Sequence, residues 1–268
     1  VGGLKSNGNL TLDAGIGAIT ITDTSSRISS GTDATGSITL TAGGGITTSA
    51  GTIDLRFHAN NGITINDNMT LGDVVQFKAD RDNNGTGIFT VAAGTTITST
   101  AAALDALIVE TADFDLLGNI NVANNMEIRA SSGAVSIDVG IDNGGTLVVS
   151  DTELSQMTIG GTLSIRRTAT TLTADGITAT GTANINKLLL RAGGEFFVAN
   201  GPGSIVVQGA GIDAANDLEL RVNNNGLFIN SDVTAGGNII LNGDGDSLDG
   251  IGSDSIYFAD GVTVTSTA

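Results

Sequence analysis

The chain has 268 residues, of which 39 are glycine, one is proline and none is cysteine, and its formal net charge at pH 7 is −17. The absence of cysteine excludes disulfides and thiolate metal sites, and the negative charge disfavours binding to nucleic acid or to anionic membrane surfaces. Apolar residues make up 40% of the chain, enough to build a core, but no run of about 18 apolar residues predicts a membrane-spanning helix.

Short runs of alternating apolar and polar residues predict β-strands along the whole chain. Gly, Asn and Asp separate these runs, and the clearest are residues 9–12, 37–40, 52–55, 126–128, 162–165, 217–220 and 238–241. Helical periodicity is weak: the best candidate, 101–107, is short and leads directly into Ile108 and Val109. The sequence therefore predicts an all-β protein.

The spacing of the strands predicts a parallel β-helix. Strong strand centres recur every ~16–28 residues, a period typical of the turns of such a solenoid. About 13 turns, each rising about 4.8 Å, would form a rod of about 60 Å. Ile, Val, Leu and Ala suit its narrow interior, and Asn pairs suit its corners because Asn tolerates positive φ.

Residues 36–101 recur recognisably as residues 203–268, an offset of 167 residues at both ends (203 − 36 and 268 − 101). GSITLTAG returns as GSIVVQGA, and AAGTTITSTA returns as ADGVTVTSTA. The repeat predicts one continuous β-solenoid over residues 1–268, belonging to a larger tandem array. Neither Val1–Leu4 nor Thr263–Thr265 reads as a cap, so further turns or another copy are expected at both ends.

One loop matches the opening of a calcium-binding loop. Asp80, Asp82 and Asn84 would supply oxygen ligands at positions 1, 3 and 5, and Gly85 at position 6 would permit the turn. The closing Glu is missing, because position 12 is Val91. The alternative is a solvated turn rich in Asx residues. A weaker version of the same candidate, in the second copy, consists of Asp244, Asp246 and Asp249.

Charged residues elsewhere favour a structural role over catalysis. An acid, an aliphatic residue and Arg recur at 54–56, 127–129 and 219–221, so that the acid and Arg point outward and can pair with neighbouring turns. His58 is the only histidine and would have to serve any Ser-His-Asp triad, yet it lies where a strand meets a turn. Basic residues are dispersed and aromatic residues are few, so the sequence predicts no enzyme.

Three blocks of the chain resemble the repeats of filamentous-haemagglutinin-type adhesins and of giant tandem-repeat surface proteins of Gram-negative bacteria. They are GNLTLDAGIGAITIT (8–22), GSITLTAGGGITTSAGTIDL (36–55) and FKADRDNNGTGIFTVAAGTTITS (77–99). The resemblance implies a right-handed parallel β-helix, export to the bacterial cell surface, and a role in adhesion or matrix building.

Together these features predict a structural or adhesive segment of an extracellular bacterial fibre, acting as a rigid stalk or matrix filament. The alternative is a β-helix that binds or cleaves glycans, and a third hypothesis is ice binding by the rows Thr39/Thr41 and Thr96/Thr98. The expected partners are further turns of the same protein, other copies joined end to end or laterally, and host or matrix glycans. No cofactor is required in this interpretation, and calcium is the one ion that the sequence suggests.

Overall fold

A computed structural model describes residues 4–21, 27–30, 36–48, 55–132, 135–167, 171–193, 203–223, 226–243 and 255–268. The chain divides into two compact units, Val1–Ser131 with Gln156–Gly161, and Ser132–Ser155 with Thr162–Ala268. The predicted all-β fold with parallel strands is confirmed, and the described residues contain a single short helix. No helix in the described parts of the chain has the length and apolar character needed to cross a membrane.

The strands are short, and most have three or four residues. The first sixteen, β1 to β16, are Lys5–Ser6, Leu10–Asp13, Ile19–Ile21, Arg27–Ser30, Ile38–Thr41, Ile46–Thr48, Leu55–His58, Ile63–Ile65, Met69–Leu71, Val75–Lys78, Ile88–Val91, Thr96–Ser99, Asp105–Thr111, Asp113–Leu116, Asn119–Val122 and Asn125–Ala130. The next two, β17 and β18, are Ile137–Gly140 and Leu147–Ser150, and helix α1 is Asp151–Ser155. The last ten, β19 to β28, are Met157–Arg167, Leu172–Ile177, Ile185–Ala192, Ile205–Ala214, Asp217–Val222, Leu227–Ile229, Val233–Ala235, Ile239–Asn242, Ile256–Phe258 and Val264–Ser266.

In the first unit, each strand from β1 to β13 pairs in parallel with the strand three places later in the chain, and β15 pairs with β19. This gives three columns, β1-β4-β7-β10-β13-β16, β2-β5-β8-β11-β14, and β3-β6-β9-β12-β15-β19. Three consecutive strands thus make one turn, and each turn lies directly on the one before. Because the register is preserved, side chains form files: Ile38, Ile63 and Phe89 are consecutive partners in the second column. All three are fully buried.

Aromatic residues contribute more to this core than the sequence analysis expects. Phe57, Phe77, Phe89 and Phe114 stack in series, with ring centroids 5.0, 5.0 and 5.9 Å apart. Two of the three contacts join Cα partners on adjacent strands, Phe57 with Phe77 and Phe89 with Phe114. Parallel pairing in register therefore places four of the eight phenylalanines in one stack.

The second unit uses the same kind of pairing. Strands β17, β20, β22, β24 and β27 form one parallel series, β22 also pairs with β25, and β25 pairs with β28. A second series is β21-β23-β26. The alternate residues Leu218, Leu220 and Val222 of β23 are fully buried.

The two copies of the sequence repeat have the same pairing order. In residues 36–101 the pairs are β5–β8, β8–β11, β6–β9, β9–β12 and β7–β10. In residues 203–268 the counterparts are β22–β24, β24–β27, β22–β25, β25–β28 and β23–β26. Ile38 and Leu40 at the start of the first copy are fully buried, as are Ile205 and Val207 in the second. The residue-by-residue equivalence of the two segments stays a prediction.

Short polar side chains at the corners join one turn to the next. Asn9 accepts a hydrogen bond from the Ser37 backbone at 3.1 Å, and Asn68 accepts one from Thr96 at 2.8 Å. Asp67 accepts one from the Ala42 backbone at 2.7 Å. The strand ladder leaves these corner amides without a partner strand, so the Asx oxygens satisfy them.

The helix lies where the sequence analysis did not expect one, while the weak candidate 101–107 leads into strand β13. Ser150 and Glu153 form a capping box at the start of α1: the Ser150 hydroxyl accepts from the Glu153 amide at 3.2 Å, and Glu153 accepts from the Ser150 amide at 2.8 Å. The signal in the sequence is Ser-Asp-Thr-Glu, and the helix buries only Leu154.

Candidate functional site

The candidate calcium loop follows strand β10 and lies on the first unit. The Asp80 side chain turns inward and is fully buried, whereas Asp82 is exposed. The Asp80 carboxylate accepts hydrogen bonds from the backbone amides of Asn84 at 3.1 Å and Gly85 at 2.9 Å, and from the Ser131 hydroxyl at 2.5 Å. The Asp80 carboxylate therefore holds the loop in place by accepting two of the loop's own backbone amides.

The outer part of the loop is also hydrogen bonded. The Asn84 amide group donates to Asp82 at 2.9 Å, and its oxygen accepts from the Thr86 backbone at 3.0 Å. Asn83 adopts a positive φ of 56°, the left-handed conformation that the turn requires. With its amide nitrogen facing inward, Asn83 donates to the Ser131 carbonyl at 2.8 Å.

The two carboxylates of the loop influence each other. Loss of hydration raises the pKa of Asp82, and the hydrogen bond with Asp80 and the charge of Asp80 raise it further. A cation beside Asp82 would relieve this repulsion. Calcium takes six to eight oxygen ligands, and the Asp80 and Asn84 oxygens also accept hydrogen bonds from the protein, so further ligands would have to come from water or a neighbouring turn. The hydrogen bonds account for these residue types without a metal, and calcium at this loop stays a prediction.

The second candidate, Asp244, Asp246 and Asp249, lies outside the described residues. Among the residues that the structure does describe, no three His, Cys, Asp or Glu side chains form a group able to hold a metal ion.

A related arrangement in the second unit was missed by sequence reasoning. Asp138 and Asp175 are both buried, and they lie on the paired strands β17 and β20. Asp138 accepts from the backbone amides of Asn143 and Gly145, each at 2.7 Å. Asp175 accepts from the Ala210 backbone at 2.9 Å and from the Asn143 side chain at 3.3 Å. Asn143 thus connects two buried carboxylates on successive turns.

The sequence pattern around Asp138 is the same as the pattern around Asp80. In both places an aspartate at or near the end of a strand precedes an Asn-Gly pair by four or five residues, as in Asp80/Asn84 and Asp138/Asn143. The carboxylate in each case accepts the amides of the loop that follows it. These two aspartates are therefore explained by the backbone amides that they accept, without an ionic partner.

The outward charges form ion pairs within and between turns. Glu127 and Arg129 pair within β16 at 2.5 Å. Lys78 pairs with its register partner Glu110 at 2.6 Å, and Lys187 pairs with Glu219 at 2.6 Å across β21 and β23. Asp54, the acid of the first predicted triplet, lies outside the described residues. These pairs are partly exposed and contribute only about 0–1 kcal/mol each.

The second unit also carries an open polar cleft of about 310 Å³, lined by Gly209, Ala210, Asn230, Ser231, Asp232, Asp260, Gly261 and Val262. Asp232 accepts from the Thr263 backbone at 2.8 Å, which lowers its pKa. No aromatic residue lines this cleft. His58, at the end of β7, is buried in the first unit.

Comparison of this chain with known protein families, curated proteins and solved structures finds no match.

Proposed function

We propose that this chain is a structural and adhesive segment of an extracellular bacterial surface fibre. In this proposal residues 1–268 form one continuous right-handed parallel β-helix that acts as a rigid stalk or matrix filament. The observation that carries the proposal is the repeated pairing order, in which each turn lies in register on the previous one in both copies of the repeat. Such a scaffold extends by adding turns, which suits a spacer.

The hydrogen bonds at the corners between turns support the proposed stiffness of the fibre. Backbone ladders run between turns in every sheet, and Asx side chains add bonds between turns at the corners, such as Asn68 with Thr96 and Asp217 with Asn238. Bending the fibre would stretch several of these bonds at once. The charge of −17 opposes non-specific clustering of such fibres through mutual repulsion.

The proposal requires no enzyme chemistry and no cofactor. Its partners are further turns of the same protein or other copies, joined end to end or laterally, together with host or matrix glycans at an adhesive surface. Its location is the bacterial cell surface.

Single-particle imaging and surface display test the proposal. Dilute purified chains should appear as rods whose length grows by about 4.8 Å per turn. Placed between a membrane anchor and a small epitope on a bacterial surface, the chain should keep the epitope accessible to an antibody above the polysaccharide layer. A flexible Gly/Ser linker of the same residue number is the control. Compact particles, or an epitope no more accessible than with the linker, would overturn the proposal.

Glycan binding is a second candidate because of the polar cleft around Asp232 and Asp260. Its carboxylates and Asn230 could accept and donate hydrogen bonds to sugar hydroxyls. A glycan array with the purified chain tests this directly, and Asp260→Ala should remove any binding at the cleft. Release of reducing ends from a bound polysaccharide would instead indicate cleavage.

A further inference from the structure

One outward face of the first unit carries no charge in the strands that form it. The third column consists of β3, β6, β9, β12, β15 and residues 157–161 of β19, and none of these described segments contains Asp, Glu, Lys, Arg or His. Every strand of the first column, by contrast, contains at least one charged residue. Because the whole chain has a net charge of −17, this uncharged face is suited to an uncharged partner.

A file of threonines runs along this face. Its members are consecutive Cα partners on the six strands of the column: Thr20, Thr47, Thr70, Thr98, Asn121 and Thr158. Neighbouring members lie about 4.8 Å apart, the separation of adjacent strands. The residues just before them, such as Ile46, Met69 and Ile97, are buried, so the members of the file point outward. Thr47 and Thr70 are exposed.

The file cannot be recognised from spacing along the chain, because the turns differ in length. The intervals between Thr20, Thr47, Thr70 and Thr98 are 27, 23 and 28 residues (47 − 20, 70 − 47 and 98 − 70). The corners absorb these differences, while the strands keep their register. A row of threonines that is irregular in the sequence is therefore regular in the structure.

The face is also regular along the strands. Three residues that stand two places before members of the file point to the same side and are polar and uncharged: Asn68, Thr96 and Asn119. Such neighbours on one strand lie roughly 6.6 Å apart, so the groups form a two-dimensional array. Asn68 is held in place because it accepts the Thr96 amide at 2.8 Å. Each threonine presents a hydroxyl and a methyl group, and its branched Cβ restricts χ1, so the array has little side-chain freedom to lose on binding.

We propose that this face, the threonine file with its flanking polar residues, binds ice. The surface of an ice crystal is an uncharged, periodic array of water molecules, each able to donate and accept hydrogen bonds. A rigid, periodic array of hydroxyl and methyl groups can occupy matching positions along such a surface. A sugar is the other neutral partner to consider, but the described strands of the third column contain no aromatic ring on which a sugar could stack. Ice binding goes beyond the proposed fibre function and does not depend on it.

A second file of threonines supplies an internal comparison. Its members are consecutive Cα partners in the second column: Thr11, Thr39, Thr64 and Thr90. Charged residues lie on this face, because Asp115 continues the file after Thr90 and Asp13 stands two places after Thr11 on β2. Removing the water from a charged group is costly, so this comparison file should not bind ice.

Partition between ice and liquid tests the inference on the complete chain. A slowly growing ice crystal rejects ordinary solutes and retains proteins that bind to its surface. The native chain should be enriched in the ice several-fold over Thr70→Tyr, because a bulky ring in the middle of the file would hold the face away from the crystal. The matched control is Thr64→Tyr, the same substitution in the middle of the comparison file, and it should partition like the native chain.

Far-ultraviolet circular dichroism and melting show whether each variant is folded. If Thr70→Tyr is not, Thr47→Lys repeats the test with a charge at another exposed position of the file. Rejection of the native chain from ice would overturn the inference, as would an equal loss in the folded Thr70→Tyr and Thr64→Tyr variants or a loss confined to Thr64→Tyr. Rods that are rejected from ice would leave the proposed fibre function standing, whereas compact particles that enter the ice would remove that function and leave the ice-binding face.

Discussion

The Ser131 hydroxyl donates a 2.5 Å hydrogen bond to the Asp80 carboxylate, although 51 residues separate them in the chain. This bond joins the residue that follows β16 to the loop that follows β10, two turns earlier in the same column, and it completes a set of three donors around one buried carboxylate. Asp80 is therefore a structural residue whose removal leaves the buried Ser131 hydroxyl and two part-buried backbone amides without an acceptor.

Asp80→Ala should destabilise the protein by about 2–3 kcal/mol, because an unsatisfied buried donor such as the Ser131 hydroxyl costs about 1–3 kcal/mol and two part-buried amides also lose their acceptor. Asp82→Ala is the matched control on the same loop, and it should change the free energy of unfolding by less than about 0.5 kcal/mol. Urea unfolding followed by circular dichroism measures both. Equal effects of the two substitutions would show that the buried hydrogen bonds do not hold this loop.

Calcium at the same loop is tested by thermal melting in calcium, in magnesium and in chelator at matched ionic strength. A bound ion raises the melting temperature because it stabilises the folded state alone. We expect the melting temperature to be highest in calcium, and the rise to shrink in Asp82→Ala, because the hydrogen bonds to Asp80 use only some of the lone pairs of its carboxylate oxygens. Three coincident curves would show that the loop binds no calcium.

The pH dependence of stability should contain a contribution from Asp232. Hydrogen bonds from the Thr263 backbone and side chain lower the pKa of Asp232 from its ordinary value of 3.8. A lowered folded-state pKa means that the contribution is complete above pH 3.8 and is lost as the pH falls through the folded pKa. The difference in melting temperature between the native chain and Asp232→Ala should therefore shrink below that pH. A difference that is constant with pH would contradict this assignment.

The ionisation of Asp82 should change stability with pH in the direction opposite to that of Asp232. Its pKa is raised, so the charged form is disfavoured in the folded chain at neutral pH and this penalty disappears as the pH falls through the raised pKa. Asp82→Asn should consequently be neutral or slightly stabilising at pH 7 and show no benefit at low pH, as measured by melting at both conditions. A destabilised Asp82→Asn at pH 7 would mean that the charge itself is needed, for example by a bound cation.

The sequence predicted the strands well because alternation has a direct physical cause. Residues 37–40 and 217–220 alternate since one face of each strand is buried, and both segments fall within or beside observed strands, β5 and β23. The repeat predicted that the two copies share one arrangement of strands, and both copies have the same pairing order.

Three features depend on contacts that no local pattern contains. The Phe57 and Phe77 rings stack because the register aligns them across 20 residues, the difference of their positions, which alternation alone does not specify. The inward turn of Asp80 depends on Ser131, far along the chain. The joint role of Asp138 and Asp175 depends on Asn143 lying between two turns. The helix α1 is different, because its capping box was readable in the sequence.

The aromatic stack should be a large single contribution to the stability of the first unit. Phe77 lies in its middle, with Phe57 and Phe89 each at 5.0 Å, and is fully buried. Phe77→Ala should cost about 3–5 kcal/mol, since it removes apolar contacts and leaves a cavity. Phe77→Leu should cost distinctly less, and Phe228→Ala, in a partly exposed aromatic pair of the second unit, should also cost less. Chemical unfolding of the three variants measures these costs. If Phe228→Ala were the most destabilising of them, the stack would not be the main aromatic contribution.

The capping box of α1 can be tested by substitutions, which show whether it is needed for this short helix to form between strands β18 and β19. Ser150 and Glu153 exchange bonds between side chain and backbone, and the Asp151 carboxylate accepts from the Thr178 amide at 2.8 Å and from its hydroxyl at 2.7 Å. Because a helix of five residues has few internal hydrogen bonds, its ends determine whether it forms.

Ser150→Ala should therefore cost about 1 kcal/mol, the usual value for an N-cap, and Glu153→Ala a similar amount. The double variant should cost less than the sum of the two, since each partner needs the other. Thr152→Ala, at an exposed site on the same helix, is the control and should be nearly neutral. If the double variant lost as much free energy of unfolding as the two single variants together, Ser150 and Glu153 would not act as one cap.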